Sequence, residues 1–343
     1  MITLDEIKNI LADRHPETTE TLARRSQQLT QQYFGRTISL YAPLYLSNYC
    51  SSHCTYCGFH SHHRIKRFKL TADEMRQEMS FVGKQGIENI LLLTGESYQL
   101  TPLKYLNEAV SVAKDYFPNI SLEVHPMQQD EYEELFAAGA DGITVYQETY
   151  DRKRYHEVHL SGIKADYDFR VTTPERAARA GLRSISMGIL LGLSDVATDL
   201  FALYHHLRSM EKNFPGVEYS LSFPRLKPIK GEDFMRCHVD DLCFIKIVCL
   251  TRTLFPRVGI NLSTRESCEL RNHALELGIT RMSAGSNTSV GGYTLKSREE
   301  QDPQFDIEDQ RSVADIVTLL KKRHFDPVFT DWRRIQNNII KTH

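Results

Sequence analysis

A chain of 343 residues that is 41% hydrophobic can bury a large core, either as two domains or as one large barrel. Lysine and arginine number 42 against 44 aspartates and glutamates, a formal net charge of −2, which carries no polyanion-binding signature and argues against nucleic acid as a partner. The longest apolar runs, such as Ile90–Leu93 and Ile189–Leu191, are far too short to span a bilayer, and Met1-Ile-Thr-Leu-Asp-Glu6 is neither a signal nor a transit peptide, so a cytoplasmic, membrane-free protein in a reducing compartment is expected.

The first residues, 1–37, read as a helical leader. Ile7, Ile10 and Leu11, then Leu22, Leu29 and Tyr33, have the spacing of polar helices with a narrow apolar stripe, and Gly35-Arg36 ends them. From Leu40 onward short β-rich runs alternate with amphipathic segments, the pattern of repeated βα units around a parallel sheet. Strands are predicted at Leu40–Leu46, Asn89–Thr94, Ser121–Val124, Gly142–Tyr146, Ser184–Ile189, Tyr219–Phe223, Gly259–Leu262 and Arg281–Ala284. Helix starts are marked by the capping box Thr71-Ala-Asp-Glu74, by Thr101-Pro102 and Thr173-Pro174 with a hydroxyl cap before proline, and by Asp195, Asp240 and Ser312. No Gly-, Ser- or Pro-rich linker divides the series. The expectation is therefore a single (β/α)8 barrel over 38–300, with a helical C-terminal extension, 301–343, packing on it.

The first strand runs into Cys50-Ser-Ser-His-Cys54-Thr-Tyr-Cys57-Gly-Phe59. Soft thiolates packed this closely suit a thiophilic metal centre, and a cubane iron-sulfur cluster normally takes four of them. The next cysteine is Cys237, so a cluster held here leaves one iron open to an outside ligand. A structural zinc site would want a fourth ligand from His53, His60, His62 or His63, and seven cysteines make an odd number for a disulfide framework; both are the weaker readings. Cys237, Cys243, Cys249 and Cys268 read as buried small hydrophobes.

Barrel enzymes build their sites at the C-terminal ends of the strands, and the remaining unusual residues fall there. Thr94-Gly95-Glu96 follows strand two, His125-Pro126 strand three, Gln147–Tyr150 strand four, Pro224-Arg225 strand six, Ser263–Glu266 strand seven and Ser283–Tyr293 strand eight. Polar groups at most strand ends argue for a binding cavity.

The Cys-x3-Cys-x2-Cys spacing, with an aromatic before the last cysteine, resembles the radical S-adenosylmethionine (SAM) enzymes, whose open iron is chelated by SAM's amino and carboxylate groups. With Thr94-Gly95-Glu96, Val145–Tyr150, Ser222–Leu226, Leu262–Ser267, Gly291-Gly292-Tyr293 and Pro327–Trp332, the chain resembles the radical SAM tyrosine lyases of thiamine (thiazole) biosynthesis, the 2-iminoacetate synthases, from about Ile38 to Trp332. The resemblance implies that Cys50, Cys54 and Cys57 bind one [4Fe-4S] cluster and that Tyr56 packs near SAM's adenine. It implies Glu96 on the SAM ammonium, Glu148 on the ribose hydroxyls and Arg170 on the SAM carboxylate, where the bland reading of Glu148 and Arg170 is a surface ion pair. Each role suits its residue, because a carboxylate accepts from an ammonium or a diol and a guanidinium fork matches a carboxylate.

For the substrate, L-tyrosine, the resemblance implies Arg265 as the carboxylate clamp and a serine after the last strand, Ser283 before Ser286, near the amino group. Tyr98, His125, Tyr146 and Arg225 are the candidates for the phenol end. His125 is either a base for the phenol proton or a hydrogen-bonded histidine at the barrel mouth. The implied reaction is reductive SAM cleavage to methionine and a 5′-deoxyadenosyl radical, hydrogen abstraction from tyrosine's amino group, and Cα–Cβ scission to 2-iminoacetate (dehydroglycine) and p-cresol. An acidic reductant, flavodoxin or ferredoxin, would dock on the basic run His62–Arg67, otherwise a solvated segment, and thiazole synthase would receive the product. The alternatives are the hydrogenase-maturation tyrosine lyase, which adds a C-terminal cysteine-rich domain where this chain has no cysteine after Cys268, a tryptophan lyase, and a non-catalytic cluster-bearing electron carrier.

Overall fold

The computed structural model describes residues 2–227, 237–295 and 304–330. Eight parallel strands stand side by side in chain order: β1 (Thr37–Ser47), β2 (Asn89–Thr94), β3 (Asn119–Glu123), β4 (Gly142–Glu148), β5 (Ser184–Ile189), β6 (Glu218–Ser222), β7 (Gly259–Leu262) and β8 (Arg281–Ser283). Parallel pairing of Ser39, Leu40 and Tyr41 with Arg281, Met282 and Ser283 joins β8 to β1 and closes the sheet into the expected (β/α)8 barrel. A short ninth strand, β9 (Asp326–Val328), which the sequence pattern does not mark, pairs with the start of β1. Trp332 and residues 331–343 of the expected C-terminal extension lie outside the described residues.

Strand alternation sorts the side chains. Along β1, Leu40, Leu44 and Leu46 are fully buried on one face, while Tyr41, Pro43 and Tyr45 turn inward to line a cavity. The lower half of the barrel is polar inside. Asn261 Nδ2 donates to Ser186 Oγ at 2.9 Å and to Ser220 Oγ at 3.2 Å, where layers of bulky aliphatic side chains usually fill such a barrel. These short side chains leave the interior partly hollow.

The leader forms two helices, α1 (Leu4–Ala12) and α2 (Pro16–Phe34), ended by Gly35 at φ 63°. They lie against the helix Asp241–Leu254 and the β7–β8 side, with Ser26 Oγ donating to Leu277 O at 2.6 Å and Lys246 Nζ to Ile10 O at 3.0 Å. Ile7 and Leu29 are buried as the stripe requires, but Tyr33 is exposed, its ring facing Arg257. The caps at Thr71, Asp195, Asp240 and Ser312 form as expected. Two others differ. The helix after β2 begins at Leu103 with Pro102 as its cap, and Thr101 Oγ1 donates backwards to Ser97 O. Thr172, not Thr173, precedes the helix Thr173–Arg179, and Thr173 Oγ1 donates to Phe169 O. A threonine hydroxyl can bond backwards to the preceding turn as well as forwards to an open helix end, and here the preceding turn holds it. Of the four scattered cysteines only Cys249 is buried; Cys237 is exposed, Cys243 and Cys268 half-buried. No helix among the described residues is long and apolar enough to cross a membrane.

Candidate active site

A cavity opens at the C-terminal end of the barrel, and its wall is assembled loop by loop from the strand ends. After β1 come Cys50, Cys54, Tyr56 and Cys57; after β2, Glu96; at β3, Glu123; on β4, Tyr146 and Glu148; beyond β4, Lys164 and Arg170; after β7, Arg265; at β8, Ser283. Most residues singled out from the sequence therefore share one space. His125, Arg225, Tyr98 and Ser286 do not line it.

The cysteine loop is bolted to its surroundings through its backbone. Ser51 N and Ser51 Oγ both donate to Glu96 O, at 2.8 and 2.9 Å. Gly95 is required at this crossing, since a Cβ there would lie 2.3 Å from Tyr49 O. Gly162, at φ 86°, does the same on the other side, packing against Ser51 O and Ser52 Cα, while Lys164 N donates to Ser52 Oγ at 3.0 Å. A short two-stranded pairing of His53–Cys54 with His159–Ser161, not anticipated from the sequence, ties the same two segments together. Arg67 then clamps the loop's far end. Its guanidinium donates to the carbonyls of Asn48, Phe59, His60 and His63, at 2.6, 2.8, 2.7 and 3.1 Å. The basic run is thus only partly a solvated segment: His62, Arg64 and Lys66 are exposed, but Arg67 is structural.

Three thiols on one wall fit an iron-sulfur cluster. Burial, with Glu96 adding to it, pushes the Cys50 thiol up to about 11, and burial raises Cys54 well above its ordinary value; a metal that ligates them as thiolates offsets that cost. His53, His60 and His62 place nitrogens within 4.8 Å of one another, but their rings are stacked. His53 lies on His60 at 5.1 Å and 21°, and on His62 at 4.1 Å and 34°. Imidazole lone pairs lie in the ring plane, so rings stacked face to face like His53 and His60 do not converge on one ion, and the three histidines do not by themselves form a zinc site.

Beside the cysteines, four charged side chains form one network. Arg170 donates through Nε to Tyr146 O at 2.7 Å and through Nη1 to Glu96 Oε1 at 2.8 Å, with its Nη2 3.9 Å from Glu148. Lys164 Nζ sits 2.5 Å from Glu148 Oε1 and 4.0 Å from Glu96. Burial works against charge on Arg170 and Lys164, but the two carboxylates outweigh it and hold both cations above their ordinary values. Glu96, likewise buried, is pulled below the usual carboxylate range by Arg170 and Lys164. Glu148 itself sits at φ 69°, after a register shift between Tyr146 and Glu148, a conformation that costs a non-glycine residue about 1–3 kcal/mol. The buried Asp199 holds the segment that follows, accepting from Thr149 Oγ1 at 2.9 Å and Tyr150 N at 2.7 Å. The expectation of a surface ion pair fails for Glu148 and Arg170, since both are buried.

Tyr56 closes this side. Its hydroxyl lies 2.7 Å from His159 Nε2, and His159 Nδ1 faces Tyr155 O at 2.8 Å. A carbonyl needs a donor at Nδ1, so Nε2 accepts from the Tyr56 hydroxyl, and burial pushes the imidazole down to about 2, keeping it neutral.

On another wall Arg265 is half-buried with its guanidinium 3.5 Å from the Phe305 ring centroid, and its hydrogen bond is a long one, 3.5 Å, to Arg225 O. No carboxylate pairs with it among the described residues. Ser283 Oγ accepts from Thr264 N at 3.1 Å, and Ser283 O from Arg271 Nη2 at 2.5 Å. His125 is buried behind the wall with its ring against Tyr98 at 4.4 Å, and burial pushes it down to about 4. Tyr98 donates to Pro126 O, and Arg225 is paired with Glu266 and Asp241. Of the four phenol candidates, only Tyr146 reaches the cavity. Lys164 and Glu123 are two charged wall residues that the sequence reading passed over. Lys164 sits in the short turn Ile163–Ala165, where no periodicity marks a side chain as inward, whereas Glu123 shares inward parity with Ser121 on β3 and could have been found by alternation.

The chain matches the radical SAM superfamily model over residues 44–203 and the biotin and thiamin synthesis associated domain over residues 222–326. It is 38% identical to 2-iminoacetate synthase from Salmonella typhimurium, covering 96% of this chain and 88% of that one, and 37% identical to the Escherichia coli enzyme of the same name with the same coverage. Among solved structures, the FeFe-hydrogenase maturase HydG from Carboxydothermus hydrogenoformans superposes with a TM-score of 0.89 at 34% identity, over 96% of this chain and 76% of that one. Methylornithine synthase, at 22% identity and a TM-score of 0.77, shares the fold.

Proposed function

This chain belongs to the 2-iminoacetate synthase family of radical SAM enzymes, and from that premise we propose that it cleaves the Cα–Cβ bond of L-tyrosine to 2-iminoacetate and p-cresol, the glycine-like unit going to the thiamine thiazole. Cys50, Cys54 and Cys57 hold the [4Fe-4S] cluster. When bound, the cluster and SAM supply a 5′-deoxyadenosyl radical, which is the chemistry no side chain provides. Glu96 accepts from the SAM ammonium, Arg170 donates to the SAM carboxylate, Glu148 accepts from the ribose hydroxyls and Tyr56 flanks the adenine. Lys164, ion-paired to Glu148 at 2.5 Å, fixes it for that task.

Arg265 clamps the carboxylate of tyrosine and Ser283 orients its amino group. The barrel wall keeps the amino hydrogen in place and water away, since a small misplacement costs orders of magnitude in rate. The observation that carries this reading is Arg265, a half-buried guanidinium with no carboxylate partner among the described residues, lining the same cavity as the cysteines. The exposed His62, Arg64 and Lys66 beside the cysteine loop offer an acidic flavodoxin or ferredoxin a place to dock, and a thiazole synthase is the recipient of the labile product, both in the cytoplasm.

The test is product analysis of anaerobically reconstituted, reduced protein supplied with SAM and tyrosine. Equal amounts of 5′-deoxyadenosine, p-cresol and 2-iminoacetate are expected. 5′-Deoxyadenosine without p-cresol would overturn tyrosine as the substrate, and carbon monoxide or cyanide among the products would move the reading to the hydrogenase-maturation lyase.

A further inference from the structure

Glu123 ends β3 and lines the cavity, yet its carboxylate forms no hydrogen bond or ion pair with any described residue. In a wall where Glu96 and Glu148 are each matched to a cation, Glu123 stands apart: it is half-buried, and its carboxylate is left for a ligand in the cavity to meet. The register places it deep. Leu122 pairs with Ile143, so Glu123 stands level with Thr144, four positions before Glu148 along the neighbouring strand. On its other side it pairs with Leu93, which in turn stands beside Tyr45. Tyr41, Tyr45 and Tyr146 surround it, and Tyr45 is already committed to Gln304 Oε1 at 2.8 Å.

The topology adds direction. In an eight-stranded barrel β3 and β7 are four strands apart either way round, hence diametrically opposed. Arg265 follows β7. A tyrosine whose carboxylate is held by Arg265 and whose side chain crosses and descends the barrel brings its phenol to Glu123. We propose that Glu123 receives the phenol end of the substrate, accepts its hydroxyl proton before the Cα–Cβ bond breaks, and returns it to p-cresol. This rests on tyrosine being the substrate.

The step is acid–base only. The phenol O–H bond breaks and a carboxyl O–H bond forms, with no change in electron count; the electron that reduces the departing fragment comes from the reductant the lyase reaction already uses. Its value is electronic, since a phenolate feeds density to the benzylic carbon released from Cα. Burial, reinforced by Glu148 and moderated by Lys164, Arg265 and Arg170, pushes the Glu123 carboxyl up to about 7, a range in which it exchanges protons at physiological pH. A base must be deprotonated to act, so turnover should rise with pH through that value. This role replaces the one considered for His125, which stands behind the wall.

The test compares wild type with Glu123→Gln as cluster-loaded holoenzyme, on tyrosine and on 3-fluorotyrosine, whose phenol is the more acidic. The variant should keep wild-type iron content and the wild-type spectrum of the SAM-bound reduced cluster. Its kcat for p-cresol formation should fall by roughly 100-fold, the low end of general-base catalysis, and lose the rise through about pH 7. 3-Fluorotyrosine should recover most of that loss, because a phenol that ionises readily needs the base less. Equal losses on both substrates, or an unchanged pH profile, would overturn the assignment and move Glu123 to the amino end. Wild type that makes no p-cresol would instead sink the tyrosine reading on which the assignment stands, an outcome separable from a normal wild type matched by an equally active Glu123→Gln.

Discussion

Arg170 Nη1 donates to Glu96 Oε1 at 2.8 Å, so the groups assigned to opposite ends of SAM's amino-acid portion hold each other in position. SAM brings an ammonium and a carboxylate of its own, and binding exchanges one buried ion pair for two. Little new charge has to be desolvated without a partner, which is how a site this buried can take a zwitterion.

The first prediction follows from that exchange. Glu96→Gln removes a charge-assisted acceptor of about 1.5–3 kcal/mol, so SAM affinity should drop roughly 10- to 100-fold while tyrosine affinity changes much less. Equilibrium binding of each ligand to the holoprotein measures the split. A selective tyrosine defect at unchanged SAM affinity would move Glu96 to the substrate side.

A second prediction concerns the loop that carries the cysteines. Arg67 spans the carbonyls of Asn48, Phe59, His60 and His63, and no other side chain among the described residues bridges these four. Arg67→Ala should destabilise the fold by about 1–3 kcal/mol and lower the iron retained after gel filtration. Arg67→Lys should recover little, because a single ammonium cannot reproduce a planar fork with donors on two nitrogens. Wild-type melting temperature and iron content in the alanine variant would refute the clamp.

The barrel could be read from the chain with unequal sharpness, for physical reasons. Asn89–Thr94, Ser184–Ile189 and Gly259–Leu262 carry compact strand patterns, and their predicted bounds coincide with β2, β5 and β7. β9 and the pairing of His53–Cys54 with His159–Ser161 are made by partners distant in sequence, which local periodicity does not register. Lys164 shows the same limit at the site. What brings it inside is Gly162 packing on Ser51 and Ser52, a tertiary contact, while the local run Gly162-Ile-Lys164-Ala-Asp166 has no periodicity that marks its lysine as inward. His125 shares parity with Glu123, but the strand ends at Glu123, and the turn carries the imidazole behind the wall onto Tyr98.

The third prediction addresses the support under Ser283. Arg271 and Asp309 have fully buried side chains and bond to each other, and Arg271 also donates to Ser283 O at 2.5 Å. Asp309→Asn leaves a buried guanidinium without its compensating charge, so it should cost about 3–5 kcal/mol in chemical unfolding, more than the joint replacement Arg271→Met with Asp309→Leu. A cost below about 1 kcal/mol would mean that Arg311, 2.5 Å from Asp309, rather than Arg271, is the partner that matters.

The last prediction separates a tyrosine lyase from a generic SAM-cleaving enzyme. The Arg265 guanidinium lies over the Phe305 ring and is half-buried without a carboxylate among the described residues, an arrangement that leaves a planar fork for an incoming anion. Arg265→Lys keeps the charge but loses both the fork and the stacking face, so tyrosine should bind loosely and its amino hydrogen should no longer be held against the radical carbon. SAM cleavage then becomes uncoupled from lysis. The variant should still form 5′-deoxyadenosine, while p-cresol and 2-iminoacetate fall about tenfold or more relative to it, the ratio expected when a lost interaction is worth 1.4 kcal/mol or above. Because the SAM contacts lie on the β2–β4 side, SAM affinity and the spectrum of the reduced cluster should stay at wild-type values. Coupled p-cresol formation at the wild-type ratio would remove Arg265 from the carboxylate, and a parallel loss of 5′-deoxyadenosine would show that it serves SAM instead.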